Sequence, residues 1–214
     1  MEKPHFEREQ ILEGINRLAE LAREADKNID IAIFGGSAIV IEWGFRQSTR
    51  DVDIYISGDK EFTREAAKQI ASEKGWPEDW LNDAVKGFIS PKGQFSLFGE
   101  FPQNTNEPSL RIYVPKPEYL LAMKCMAMRM GGDDDISDVS DIKHLVKILG
   151  IDNPDTVLDL VETFYPANRI HPKVMFGIRR IFEELGREND EKTSEPQGGS
   201  GKRRSGRKLH NGPE

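Results

Sequence analysis

Residues Ile31–Tyr55 read IAIFGGSAIVIEWGFRQSTRDVDIY. An apolar run ends in Gly35-Gly36-Ser37, a short amphipathic segment follows, and a second apolar run carries Asp51 and Asp53 at alternate positions. In an extended strand alternate side chains share a face. The spacing therefore predicts two carboxylates side by side, with Val52 and Ile54 directed into the core. Asp is depleted inside strands, and neighbouring carboxylates repel unless a cation neutralises them. Hard divalent ions such as Mg²⁺ or Mn²⁺ take such oxygen ligands and bridge them to substrate phosphates. The plainer alternative is a solvated strand end bearing two acids. Upstream, the turn at Gly35, Gly36 and Ser37 offers backbone N–H groups with no Cβ in the way, near the start of a helix, which suits a phosphate. The same turn suits Ser37 as a helix N-cap. Arg46 and Arg50 flank the approach to Asp51, placed either to meet phosphate or to pair with Asp51 or Glu42. Both halves of a phosphoryl- or nucleotidyl-transfer site thus lie in one short segment.

Outward from this stretch the pattern is α/β (α+β). Ile11, Ile15, Leu18 and Ala22 recur at helical spacing over Glu7–Asp26. Strands are expected at Ile29–Phe34 and Asp51–Ile56, with a helix over Ser37–Trp43 that Gly44 stops. A helix over Phe62–Lys74 ends at Trp76-Pro77, and a further short helix is expected over Glu78–Val85. Phe88–Ile89, Phe95–Phe98 and Leu110–Val114 read as strands between Gly, Pro and Asn turns. After Pro117 the pattern is helical throughout, over Tyr119–Met130, Ile136–Leu149, Asp155–Phe164 and Pro172–Leu185. The expected organisation is an N-terminal helix (1–28), a mixed-sheet core flanked by helices (29–115), a helical C-terminal domain (116–186) and a disordered tail (187–214). The tail has no large apolar residue except Leu209 and cannot bury enough surface to offset its ordering entropy. Its cluster Lys202-Arg203-Arg204 with Arg207-Lys208 suits a polyanion such as RNA, or simple solubilisation.

The chain of 214 residues carries a net charge of −7, which argues against a wholesale nucleic-acid coat but not against local RNA contact. Cys125 is the only cysteine, so an intrachain disulfide and a thiolate metal cluster are excluded. No apolar run is long enough to span a bilayer, and MEKPHFEREQ has no signal-peptide core. A cytoplasmic protein without membrane contact is expected. His5, His144, His171 and His210 have no ligand spacing. Lys124 stands in an otherwise apolar helix beside Ala122, Met123, Cys125 and Met126. An ammonium buried without a partner is costly, so a triphosphate is one fitting partner; snorkelling to solvent is the alternative. Asp138 and Asp141 share a helix face opposite Ile136, Val139, Ile142 and Leu149, and with Asp133, Asp134 and Asp135 they also suit a helix N-terminus.

Gly36-Ser37 followed by Asp51-Val52-Asp53 resembles the signature of the nucleotidyltransferase superfamily, the polymerase-β-like fold. The wording GGSAI…RQSTRDVDI resembles in particular the bacterial abortive-infection nucleotidyltransferase toxins of type IV toxin–antitoxin systems. Those toxins carry a Lys, a basic residue four or five positions later, and then paired Asp residues; LLAMKCMAMRMGGDDDISDVSDI has that order in Lys124, Arg129, Asp138 and Asp141. The resemblance implies a metal-dependent enzyme that moves a nucleotide from a nucleoside triphosphate (NTP) to an acceptor. Asp51 and Asp53 would hold Mg²⁺ or Mn²⁺. Gly35, Gly36, Ser37, Arg50 and Arg129 would hold the nucleotide, and Lys124 with Asp138 or Asp141 would act on the triphosphate and the acceptor. It further implies RNA, tRNA included, as acceptor and a cognate antitoxin as partner. Aminoglycoside nucleotidyltransferases share the Gly-Ser and Asp-x-Asp pattern, so a small-molecule acceptor is an alternative, as is a non-catalytic nucleotide- or protein-binding module with the same fold. The superfamily usually has a third acid on a later strand. Leu110–Val114 has none and carries Arg111, with Glu100 as a possible substitute, so slow turnover is expected.

Overall fold

The structure is a computed structural model that describes residues 5–103, 105–128 and 133–194. Arg129 and the basic cluster at 202–208 lie outside these residues. Among the described residues, five strands form one mixed sheet in the order β5-β4-β2-β7-β6. They are β2 (Ile29–Ile33), β4 (Val52–Ser57), β5 (Leu81–Asn82), β6 (Phe95–Phe101) and β7 (Leu110–Pro115). The central strand β2 runs antiparallel to β4 and parallel to β7. A second, two-stranded ribbon pairs β1 (Phe6–Glu7) with β3 (Ser48–Thr49). It had no legible signal, because two residues carry no period.

Alternation decides which face of the sheet is covered. Ile29, Ile31 and Ile33 of β2, Val52, Ile54 and Ile56 of β4, and Leu110, Ile112 and Val114 of β7 are all buried in one cluster. Helices α1 (Arg8–Glu24) and α3 (Lys60–Lys74) close that cluster through Ile11, Ile15, Leu18, Ala66 and Ile70. Helix α1 obeys its expected period, and Arg17 ties it to α3 by bonding Glu73 at 2.9 and 3.1 Å. The intervening residues, Ala32, Asp53, Tyr55 and Tyr113 among them, take the opposite face.

A second cluster is helical. It joins α4 (Pro117–Ala127), α5 (Asp133–Ile148), α6 (Pro154–Phe164) and α7 (Pro172–Ser194) through Leu120, Leu121, Ile142, Leu145, Val157, Val161, Val174 and Ile178. Phe34 and Ile39, which bracket the Gly-Gly-Ser turn, are buried in this cluster and not in the sheet's own core. The turn is therefore the seam between the two halves.

Four expectations are corrected. The helix after the turn is one turn of α-helix, α2 (Gly35–Ala38), continued by a π-helical turn over Ile39–Trp43; Gly44 does end it, with φ 67°. Ser37 is not its N-cap: that position is Phe34, and the Ser37 hydroxyl donates back to the Phe34 carbonyl at 2.7 Å. The segments expected as a helix over Glu78–Val85 and a strand over Phe88–Ile89 are instead β5 and a 3₁₀ turn over Ala84–Phe88. Trp80 explains the change. It is buried, donates to the Ala67 carbonyl at 3.0 Å, and its own carbonyl takes the Val52 N–H at 2.7 Å, so the chain is laid along β4. Finally, α7 runs through Ser194, past the boundary expected at Gly186. Lys143 on α5 bonds Glu184 and Glu188 on α7 at 3.1 and 2.6 Å and holds the helix across that point.

Candidate active site

Asp53 lies on β4 and Asp51 one residue before the strand begins. Both are partly buried. Their positioning comes from three directions. Strand β5 pairs Asn82 with Asp53, and the Asn82 amide donates to Asp51 Oδ2 at 2.9 Å. The buried Trp80 fixes β5, so the amide that orients Asp51 is anchored in the core. On the other side, Gly35 adopts φ 60°, and a Cβ there would lie 2.7 Å from Asp53 Oδ2. The glycine is needed twice: for the left-handed conformation and for the close approach of a carboxylate. The expected juxtaposition of glycine turn and acids is thus met by direct contact between Gly35 and Asp53.

Gly36 meets a different partner. A Cβ there would lie 2.9 Å from the Arg46 guanidinium carbon and 3.0 Å from Thr49 Oγ1. Arg46 had two expected uses, phosphate or a pairing with Asp51 or Glu42. Its pairing is with neither of those acids: Nη1 donates to Asp141 Oδ2 on α5 at 2.9 Å, and Nε donates to the Ser48 carbonyl at 2.9 Å. Asp141 also receives Lys124 Nζ at 2.7 Å, and Lys124 donates to Asp138 Oδ1 at 3.0 Å. Arg46, Asp141, Lys124 and Asp138 form one chain of alternating charges that starts at the glycine turn and ends on α5.

The burial of this chain decides its character. The Lys124 and Asp141 side chains are only 9 % and 5 % exposed. Lys124 does not snorkel; it stays in, and its counter-charges come from this same chain. Asp138 and Asp141 do share a face, but it is not the solvated face of an acidic helix start, because it turns inward onto Lys124. Buried charges require partners and satisfied hydrogen bonds, and a network with two cations and two carboxylates is balanced. Burial also pushes the Cys125 thiol, next to Lys124, up to about 12, which leaves it an inert core group. Arg50 is exposed on the turn just before Asp51.

The register shows which residue of β7 stands level with Asp53. Ile33 pairs with Ile54 and Ala32 with Tyr113, and the Phe34 N–H bonds the Asp53 carbonyl at 2.9 Å. Carried on to Phe34, this puts Pro115 of β7 level with Asp53. Arg111 lies four residues back along β7, about 13 Å away at strand rise. There it makes a two-pronged pair with Asp30, at 2.6 and 2.9 Å, opposite Glu100 of β6. Neither Arg111 nor Glu100 stands level with Asp53; Pro115 does. Among the described residues no three His, Cys, Asp or Glu side chains converge as a metal cluster. Asp51 and Asp53 contribute hard oxygen donors of the kind Mg²⁺ takes, with the remaining ligands left to phosphates and water, as is usual for this ion. The donor set fits it on those terms.

Sequence reasoning missed Asn82 altogether, since a two-residue strand gives no period, and it missed that Arg46 and Lys124 meet at Asp141, a contact between residues 95 positions apart. No helix among the described residues is long and apolar enough to cross a membrane. Comparison with known proteins adds one finding: a family model described as "Nucleotidyltransferase of unknown function (DUF6036)" matches residues 10–171. No curated protein and no solved structure matches the chain. The matched span takes in the glycine turn, Asp51, Asp53, Lys124, Asp138 and Asp141, and the mixed sheet flanked by helices accords with a nucleotidyltransferase fold; the chain belongs to the DUF6036 family of nucleotidyltransferases of unknown function.

Proposed function

We propose that the protein is a metal-dependent nucleotidyltransferase that moves a nucleotide from an NTP to an acceptor. The observation that carries the reading is the close approach of Gly35 to the Asp53 carboxylate, which puts the backbone of the glycine turn beside an acid of the Asp51-Val52-Asp53 stretch. Asp51 and Asp53 hold Mg²⁺ (or Mn²⁺), oriented by Asn82 and by the turn. Bound there, the ion supplies Lewis-acid stabilisation of charge at the reacting phosphate. The backbone of Gly35 and Gly36 receives the outer phosphates, with Ser37 bracing the turn from within. Arg50 stands at the rim, and Arg129 would add a further cation on the nucleotide. Lys124, Asp138 and Asp141 fix the helical half against the turn and set the potential felt by the leaving phosphates.

The acceptor we favour is RNA, tRNA included, with a cognate antitoxin as partner and a cytoplasmic setting. This part rests on the resemblance of GGSAI…RQSTRDVDI to type IV toxins. The test is transfer itself. The protein is incubated with each α-labelled NTP, Mg²⁺ and total RNA, or with aminoglycosides in place of RNA. A labelled RNA band is expected; label on the small molecule instead would move the acceptor class, and label on the protein would indicate self-modification. A second reading, a nucleotide-binding module without turnover, is favoured by the lack of an acid on β7 level with Asp53, where Pro115 stands. It becomes the better one if nucleotide binds and no acceptor is labelled.

A further inference from the structure

We propose that Arg46, and not Lys124, is the side-chain cation that contacts the substrate's outer phosphates, a ligand for a triphosphate seated on the Gly35–Gly36 turn. The inference rests on the nucleotidyltransferase reading and reassigns a role within it. Four observations converge. The first is position: the guanidinium lies so close to Gly36 that a Cβ would fall 2.9 Å from its carbon and 3.0 Å from Nη1. The second is exposure: the Arg46 side chain is 24 % exposed, whereas Lys124 is 9 % exposed.

The third is the donor count. Lys124 spends its bonds on Asp138 and Asp141. Arg46 uses Nε for the Ser48 carbonyl and Nη1 for Asp141, and among the described residues these are its acceptors. A guanidinium has five N–H donors in a fixed fork, so its Nη2 group is left to bond a phosphate. The fourth is preorganisation. Asp141 on α5 and the Ser48 carbonyl of β3 hold the guanidinium from two elements far apart in sequence, so little rotamer entropy remains to be lost on binding. Asp141 is accordingly a positioning residue. It takes part of its charge balance from Lys124 and aims Arg46 at the turn. Arg46 can keep Nε and Nη1 on its protein partners while Nη2 donates to phosphate, a division of donors that the single ammonium of Lys cannot reproduce.

The experiment titrates Mg²⁺-tripolyphosphate and Mg²⁺-ATP into the full chain by calorimetry, with thermal midpoints recorded for every variant. Arg46→Gln is expected to weaken both ligands tenfold or more. Arg46→Lys keeps the charge next to Asp141 but loses the fork, so a several-fold loss is expected, and this variant decides the matter if the Gln variant fails to fold. Gly36→Ala leaves all charges in place but drives its Cβ into the guanidinium, and it too should weaken tripolyphosphate binding. Wild-type-like affinity in Arg46→Lys and Gly36→Ala overturns the assignment while leaving the nucleotide site intact. Wild-type protein that binds neither tripolyphosphate nor any NTP overturns both the assignment and the reading beneath it.

Discussion

The sheet half and the helical half each bring a pair of carboxylates to the same seam, and the fold treats them differently. On α5, Asp138 and Asp141 are met by full cations, Lys124 and Arg46, and Asp141 is buried. Beside β4, Asp51 takes the neutral Asn82 amide and stays partly exposed, and the partly exposed Asp53 lies against the backbone of Gly35 at the glycine turn. An acid neutralised by its own chain can serve as a structural fastener, because its charge is already balanced when nothing is bound. Acids held at the glycine turn and partly open to solvent can exchange their contacts for a ligand more readily than a buried pair can. The difference separates two kinds of acid pair that look alike in the sequence, D-x-D and D-x-x-D.

The comparison breaks first if the sheet pair is dispensable. Asp51→Asn with Asp53→Asn should reduce nucleotide transfer by a hundredfold or more, and should abolish any rise in thermal midpoint produced by Mg²⁺ plus nucleotide. The metal-free chain should stay folded, since Asn keeps the shape of Asp at both partly exposed positions and removes the repulsion between the two carboxylates. Next comes the helical pair. Lys124→Ala strands Asp138 and Asp141, and removing one partner of a buried ion pair costs about 3–5 kcal/mol. Chemical denaturation should register that loss, and Lys124→Ala combined with Asp141→Asn should recover part of it. A Lys124→Ala chain as stable as wild type would show that the network is not a fastener.

A smaller effect on stability, with a large one on ligand, is expected at Gly35. Alanine at φ 60° costs about 1 kcal/mol for the left-handed backbone, and its Cβ would displace the Asp53 carboxylate. Metal-dependent nucleotide affinity should fall tenfold while the melting midpoint drops only slightly; equal affinity would remove Gly35 from the site.

The legibility of these regions in the sequence follows the same division. The sheet core was readable because Ile31, Ile33, Val52 and Ile54 alternate and the glycine turn has a physical meaning of its own. The acids Asp51 and Asp53 were readable because Asp is out of place there. The helical network was half readable: Lys124 stood out as a cation in an apolar stretch, but its partners Asp138 and Asp141 lie 14 and more residues on and were equally suited to a solvated helix start. The one-turn α2 and its π continuation, β5 and the β1–β3 ribbon were not readable, because elements of two to five residues offer too few positions for a period. Trp80 and Asn82 take their meaning only from strands already folded.

The smallest effect belongs to the far side of the sheet, where no ligand is invoked. Arg17 and then Gln69 hold the Glu73 carboxyl down to about 2, from an ordinary 4.5. A depressed folded-state value contributes stability that is fully present above about pH 4.5 and is lost as pH falls toward 2. Glu73→Gln should therefore flatten the acid limb of the stability profile in that window while leaving stability near neutral pH slightly lower. An unchanged acid limb would show that the exposed α1–α3 pair is screened to insignificance.

The central claim is that the sheet acids hold a metal-bound nucleotide. Calorimetric titration of the four NTPs into wild type and the Asp51→Asn, Asp53→Asn double variant, with and without Mg²⁺, tests it most directly. At least one NTP should bind the wild type with Mg²⁺ present, bind far more weakly without it, and lose its Mg²⁺ dependence in the double variant. Nucleotide affinity that ignores both the metal and the two substitutions would contradict the account.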